Sequence, residues 1–468
     1  MSRKMKNKVI TNLLIERIAS EGKCLGHHEE KVVFVTGVAP GDVVDVRITK
    51  GKSSFMEGEP VKFHEYSTER IDPFCPHFGT CGGCKWQHIN YDLQKTYKRQ
   101  QVLDQFQRIA KVEIPEVRPT LGSEKTQYYR NKLDFTFSNK KWLTLDQIRS
   151  EEDFDRNALG FHIPKMFDKI IDVDHCYLQG NISNEVRNEL RAFALANKLS
   201  FYDIRNQVGL LRNLIIRTTS TDQSMVIVQF GEDDPAGIKM VMEFLHDRFP
   251  AITSLLYVVN TKGNETFHDL KLITFAGKDF IEEEMEGLKF RIGPKSFYQT
   301  NSEQAYELYK VARDFADLQG DEVVYDLYTG TGTIANFVAK KAKQVIGIEY
   351  VEAAIADAKI NSHLNQIDNT LFYAGDMKDM LDEEFIQNHA APDVIITDPP
   401  RAGMDEKVVQ MLLRLEAPKV VYVSCNPATQ ARDVALMAEK YKVEKIQPVD
   451  MFPQTYHVEN VVLLTLKK

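Results

Sequence analysis

The sequence predicts a multidomain protein: an N-terminal small β-barrel of the oligonucleotide-binding (OB) type, a central α+β domain with a cysteine cluster, and a C-terminal Rossmann-like α/β domain. Three observations predict it. Residues 1–65 hold short strand-like runs (VITNLLIERI, KVVFVTG, DVVDVRIT, FMEGEPVKFHEY) broken by turns such as Ala39-Pro40-Gly41-Asp42, with no helical stretch. Three cysteines crowd into residues 75–84. From about residue 289 strands alternate with helices, the pattern of a parallel sheet. The boundaries follow as 1–65, 66–288 and 289–468.

Length and composition agree. A chain of 468 residues, 43% hydrophobic and 27% charged, is long enough for several domains and excludes wholesale disorder. No apolar run approaches the ~18–20 residues of a membrane helix, and the basic start MSRKMKNKVI lacks the apolar segment of a signal peptide. A soluble, cytoplasmic, monomeric protein with no membrane partner is expected, and in that compartment clustered cysteines point to metal or catalysis. The net charge of −8 conceals a gradient: residues 1–141 carry 24 Lys+Arg against 17 Asp+Glu, whereas the remainder carries 35 against 50. A basic front end on an acidic body suits an RNA-binding module, although lysines that merely solvate a surface give the same count.

Between the barrel and the α/β half, a polar helix is expected over 91–110 (YDLQKTYKRQQVLDQFQRIA), then mixed strands and helices such as LRNLIIRTTS and SMVIVQF. The most informative stretch is VVYDLYTGTGTIANFVAKKAKQVIGIE. It reads as a strand Val323–Leu327, a glycine turn Thr329-Gly330-Thr331-Gly332, a helix over 334–341, and a strand over 344–348 ending at Glu349. Glycines admit a ligand close to the backbone, and an acid about 20 residues on binds ribose hydroxyls, which fits a dinucleotide or S-adenosylmethionine. Asp376, Asp398-Pro399-Pro400-Arg401 and Ser424-Cys425-Asn426-Pro427 each follow an expected strand (371–373, 394–397, 420–423), where open α/β sheets bind ligands.

These motifs, with Phe297-Tyr298-Gln299-Thr300-Asn301 and His457-Val458-Glu459-Asn460, resemble the S-adenosylmethionine-dependent RNA 5-methyluridine (uracil-C5) methyltransferases over essentially the whole chain. The N-terminal stretch, through Val38-Ala39-Pro40-Gly41-Asp42, looks like a TRAM domain, an RNA-binding barrel of RNA-modifying enzymes. The resemblance implies that Gln299, Tyr328, Thr333, Glu349, Asp376 and Asp398 line the cofactor pocket.

The chemistry then asks for two further groups. C5 of uracil is a poor nucleophile; a thiolate adding at C6 makes it an enolate carbon able to take a methyl group, and a base must afterwards remove the C5 proton. Cys425, outside the cysteine cluster and in a polar turn at a strand end, matches the nucleophile, and Glu459, before a final strand over 461–466, matches the base. A buried core cysteine and a surface carboxylate are the ordinary alternatives. Asp398 is a further candidate for the uracil edge, and Arg401 for phosphate or for bracing its loop.

Cys75-x5-Cys81-x2-Cys84 with the distant Cys176 suits a four-thiolate site. Chemistry alone leaves zinc and iron–sulfur equal, and the spacing is not the Cys-x3-Cys-x2-Cys of radical enzymes. The family resemblance implies a [4Fe–4S] cluster on these residues, and 23S rRNA as substrate, with tRNA as the alternative. Two rival functions are an amino methyltransferase, which needs no Cys425, and a non-catalytic iron–sulfur RNA-binding protein.

Overall fold

The computed structural model describes residues 7–150 and 152–467; the basic start, 1–6, lies outside the described residues. The chain divides into two compact units, one made of Met1–Gly79, Gly83–Thr126 and Pro399–Lys468, the other of Thr80–Gly82 and Gln127–Asp398.

The first unit opens with a six-stranded sheet in the order Val9–Leu14, Val43–Gly51, Phe55–Glu65, Lys31–Val35, Cys24–His28, Arg17–Ile18. Strict alternation builds it: Val44, Val46 and Ile48 are fully buried while Arg47 and Thr49 face water. The inward set meets Ile10, Leu13, Val33 and Val35 in one core. The turn after Val38 is closed by a buried carboxylate. Asp42 accepts from the Ala39 and Ser67 backbone N–H groups (2.6 and 2.9 Å) and from Arg70 Nη2 (2.7 Å). Burial raises the Asp42 carboxyl, but the Arg70 guanidinium and these N–H groups win and hold it below the usual range. Its main role is therefore structural.

Asn90 caps the helix Tyr91–Gln105 by accepting from Leu93 N–H at 2.8 Å. The helix continues as a wider π turn, Phe106–Ala110, and stops at Lys111 in the left-handed region (φ 53°), so the expected span 91–110 is one element with a loosened last turn. At the end of the chain, Glu459–Leu466 runs antiparallel between Lys419–Ser424 and Tyr441–Val449, beside the helix Pro427–Met437. This last strand starts two residues earlier than expected. Val449 opposite Glu459 and Pro448 opposite Asn460 extend the ladder through residues that read as loop by polarity.

The second unit holds a seven-stranded sheet in the order Ile273–Gly277, Ser254–Val259, Ser224–Phe230, Leu211–Thr218, Lys132–Ser138, Ala158–Ile163, Met166–Asp172. Ser224–Phe230 is buried at every position, as expected of a central strand covered on both faces. Beyond it come four parallel strands, adjacent in the order Thr370–Ala374, Gln344–Glu349, Val323–Leu327, Val394–Thr397. The mostly apolar runs of these strands and the intervening helices Thr333–Ala339 and Glu352–Leu364 give the Rossmann-like pattern read from the sequence. Among the described residues no helix is long and apolar enough to cross a membrane.

Candidate active site

In the second unit, Tyr328, Glu349, Asp376 and Asp398 lie at or just beyond the carboxyl ends of the four parallel strands. Leu327 pairs with Ile348 and with Thr397, so Tyr328, Glu349 and Asp398 leave their strands at one level; Glu349 pairs with Ala374, two residues before Asp376. Tyr328 has φ 63°, a strained conformation for an aromatic residue that persists only where its surroundings enforce it. Gly330 and Gly332 follow at φ 56° and 74°. A Cβ on Gly332 would lie 2.9 Å from Ala358 Cβ, whereas one on Gly330 would meet nothing within 4 Å. The first glycine leaves room for a ligand; the second packs the helix onto the sheet.

Glu349 holds this turn: its carboxylate accepts from Gly330 N–H (3.2 Å) and Val351 N–H (3.0 Å). Asp376 caps the short helix Met377–Met380 and pairs with Lys378 at 2.7 Å. Gln299 is fixed through its carbonyl, which accepts from Asn131 Nδ2 at 2.8 Å. Thr333 is buried, its hydroxyl 3.3 Å from that of Thr331.

The sequence reading assigned no role to Asp326, which lies fully buried at the heart of this group. One oxygen accepts from Thr329 Oγ1 (2.5 Å) and Ala335 N–H (3.0 Å); the other has no protein partner. Burial pushes its carboxyl up to about 7 against those two bonds, with Glu349 adding to the rise. Desolvation likewise lifts Asp398 to about 7, and Asp326 adds to it. Acids held part-protonated beside an open glycine, with one buried oxygen unpartnered, fit a ligand that brings positive charge and hydroxyl donors. S-Adenosylmethionine, with its sulfonium, ammonium and ribose, meets that description.

In the first unit, the Lys419–Ser424 and Glu459–Leu466 strands pair Ser424 with Asn460, so Cys425 follows the end of one strand and Glu459 begins the other. Cys425 is half-buried and Glu459 only 4% exposed. Cys425 lies two residues before the helix Pro427–Met437, at the end that favours negative charge. Asn426 caps that helix and donates from Nδ2 to Arg401 O (3.0 Å), while Arg401 Nη2 lies 3.3 Å from His457 Nδ1. Arg401 thus braces the loop. Behind the pair, buried Gln430 donates to Tyr422 O (2.8 Å) and Asn460 O (3.1 Å) and accepts from Asn460 Nδ2 (2.7 Å), locking helix to strands.

Residues 270–467 match the tRNA (uracil-5-)-methyltransferase family model, and residues 3–61 match the TRAM domain. An RNA methyltransferase of Bacteroides thetaiotaomicron is 59% identical over 96% of this chain and 100% of its own length. The chain belongs to the RNA (uracil-5-)-methyltransferase family. An RNA methyltransferase of Chlorobaculum tepidum is 40% identical over 97% of this chain and 95% of its own. Among solved structures, the Pyrococcus abyssi tRNA (uracil-54, C5)-methyltransferase in complex with S-adenosyl-L-homocysteine is 28% identical, with a TM-score of 0.74, and covers 97% of this chain and 100% of that one. Membership makes this chain an S-adenosylmethionine-dependent RNA methyltransferase with an N-terminal TRAM domain.

The cysteine cluster stands differently. Among the described residues no group of three or more His, Cys, Asp or Glu side chains is placed to hold a metal ion, so Cys75, Cys81, Cys84 and Cys176 are not assembled into the expected four-thiolate centre. Thiol donors suit such a centre chemically, but thiolates converge only with a cation to offset their repulsion. Cys176 is buried and its backbone is clamped by Asn184, which accepts from its N–H at 2.8 Å and donates to its carbonyl at 3.1 Å.

Proposed function

We propose that this enzyme methylates C5 of a specific uridine in 23S rRNA, using Cys425 as nucleophile and Glu459 as general base. S-Adenosylmethionine supplies an electrophilic methyl group. The Cys425 thiolate forms a bond to C6 of uracil, moving the ring electrons towards C5 and O4; C5 then takes the methyl group as its bond to sulfur breaks, and the neutral thioether S-adenosylhomocysteine leaves. Glu459 removes the C5 proton, the electrons return to reform the C5–C6 double bond, and the Cys425–C6 bond breaks. Gln299, Tyr328, Thr333, Glu349, Asp376 and Asp398 hold the cofactor. The observation that supports this reading is the pairing of Ser424 with Asn460, the chain neighbours of Cys425 and Glu459. An amino methyltransferase needs no such Cys and Glu.

For the RNA, the combination of TRAM domain and cysteine-rich segment favours 23S rRNA. The likeness to an enzyme described as acting on tRNA uracil-54 favours a second reading, tRNA. Mapping 5-methyluridine in both RNAs, from cells with and without the gene, decides between them: loss confined to tRNA overturns the ribosomal assignment.

The iron–sulfur proposal rests on the Cys75, Cys81, Cys84 and Cys176 pattern, and no step above uses it. Anaerobically purified protein is expected to be brown, with about four irons and four sulfides per chain. Colourless protein with one zinc per chain would remove it.

A pH dependence follows from Asp326 and Asp398. Their folded-state values near 7 lie above the ordinary carboxylate range, so the ligand-free protein carries protons there below about pH 7 and loses them above it. A cationic ligand prefers the ionised form. S-Adenosylmethionine affinity is therefore expected to rise between pH 6 and 8, by up to about tenfold per pH unit for each proton released. S-Adenosylhomocysteine, lacking the sulfonium charge, should respond less. Calorimetry with both ligands checks this; equal pH slopes would sink it.

A further inference from the structure

The loop that leads into Glu459 is fastened by buried polar groups that the proposed chemistry does not use. Glu459 lies opposite Val449, so residues 450–458 form the connection between these two strands, with Asp450 at one root and Glu459 at the other. Asp450 and Lys98 are both fully buried, and Lys98 Nζ lies 2.5 Å from Asp450 Oδ1. The same ammonium donates to Phe452 O at 3.1 Å, and Asp450 Oδ1 accepts from Phe452 N–H at 3.0 Å, so one cation closes the first turn of the loop. Asp450 N–H donates in turn to Leu121 O at 2.8 Å.

One helical turn earlier, buried Gln94 secures the middle of the loop. Its Nε2 donates to Gln454 Oε1 (3.0 Å), and its Oε1 accepts from Gln454 N–H (3.0 Å). Gln454 O accepts from the backbone N–H groups of Lys85 (2.9 Å) and Trp86 (3.0 Å). Gln454 stands at φ 67°, a backbone state a non-glycine residue keeps only when held there. Positions 94 and 98 lie on one face of the helix Tyr91–Gln105, four residues apart. A lysine desolvated this completely is costly, and a pair of leucines would stabilise a loop as well.

We propose that Lys98 and Gln94 are positioning residues for the catalytic base: through Asp450 and Gln454 they fix the 450–458 loop, and with it the carboxylate of Glu459. The inference rests on the roles given above to Cys425 and Glu459. It also gives the segment after the cysteine-rich loop a task, since Lys85 and Trp86 hold the same loop.

The test uses full-length Lys98→Met/Asp450→Leu and Gln94→Leu. Lys98→Met alone strands a buried carboxylate and risks misfolding; the double variant removes both charges and keeps the fold. With ordinary uridine RNA, both variants are expected to lose about 100-fold in kcat, the scale of an ångström-size misplacement. KM for S-adenosylmethionine should stay within about twofold, and a covalent protein–RNA complex should build up on denaturing gels as proton removal slows. Wild-type turnover in the stably folded double variant would make the pair structural only and overturn the proposal. So would lost activity without the covalent complex. Glu459→Gln, run alongside, separates the two levels. If it traps RNA and the positioning variants do not, only this inference falls; if it does not trap RNA either, the base assignment falls and the inference with it.

Discussion

Cys425→Ala is expected to abolish methyl transfer, with a loss of more than about 10⁴-fold, while S-adenosylmethionine binds within about twofold of wild type. Without a thiolate on C6, C5 of uracil never becomes a strong nucleophile. Glu349, Asp376 and Asp398, the residues proposed to hold the cofactor, belong to the other compact unit, so their contacts should survive. Cys425 sits half-buried in a turn fixed by Asn426 and Ser424, and losing one sulfur there should cost less than about 1 kcal/mol of stability. Single-turnover transfer of a labelled methyl group, with calorimetry for the cofactor, checks both halves. An amino methyltransferase would keep its activity in this variant, and retained turnover would therefore end the proposed mechanism.

The α/β half was legible because its signals are local. Val323–Leu327 and Val394–Thr397 occupy the spans read from the sequence, since buried parallel strands leave mostly apolar runs. The glycine turn was legible for the same reason: Gly330 and Gly332 adopt the positive φ values that the residue type announces. The six-stranded N-terminal sheet likewise follows from alternation in Val43–Gly51 and from the turn at Gly41.

What escaped depends on partners distant along the chain. Asp326 is one acid in an apolar strand; its unpartnered oxygen and raised carboxyl arise from Thr329, Ala335 and Glu349 gathering around it. Lys98 reads as one more lysine on a polar helix, because its partner is 352 positions away. Gln94 and Gln454 are 360 apart. The early start of the last strand was hidden likewise, since polar Glu459 and Asn460 take their strand character from Val449 and Pro448 opposite. The cysteines show the reverse case. Their spacing is conspicuous, yet a pattern of donors is not by itself a geometry.

Glu459→Gln should separate the two halves of the reaction. Glutamine keeps the size and the acceptor oxygen of a side chain only 4% exposed at the head of a paired strand, so folding should be little changed. What it lacks is a basic oxygen. Addition of Cys425 to C6 and methylation at C5 need no proton acceptor at this position and should continue, whereas removal of the C5 proton should slow by about 10²–10⁴-fold. Expulsion of the thiol waits on that step, so RNA should accumulate bonded to the protein through Cys425. On a denaturing gel the variant should show a slow band with ordinary uridine RNA. Wild-type enzyme should show such a band only with 5-fluorouracil RNA, where fluorine cannot leave as a proton. Cys425→Ala/Glu459→Gln should show neither band, which ties the adduct to this thiol. An inactive Glu459→Gln that never retains RNA would move Glu459 from proton removal to substrate binding or folding.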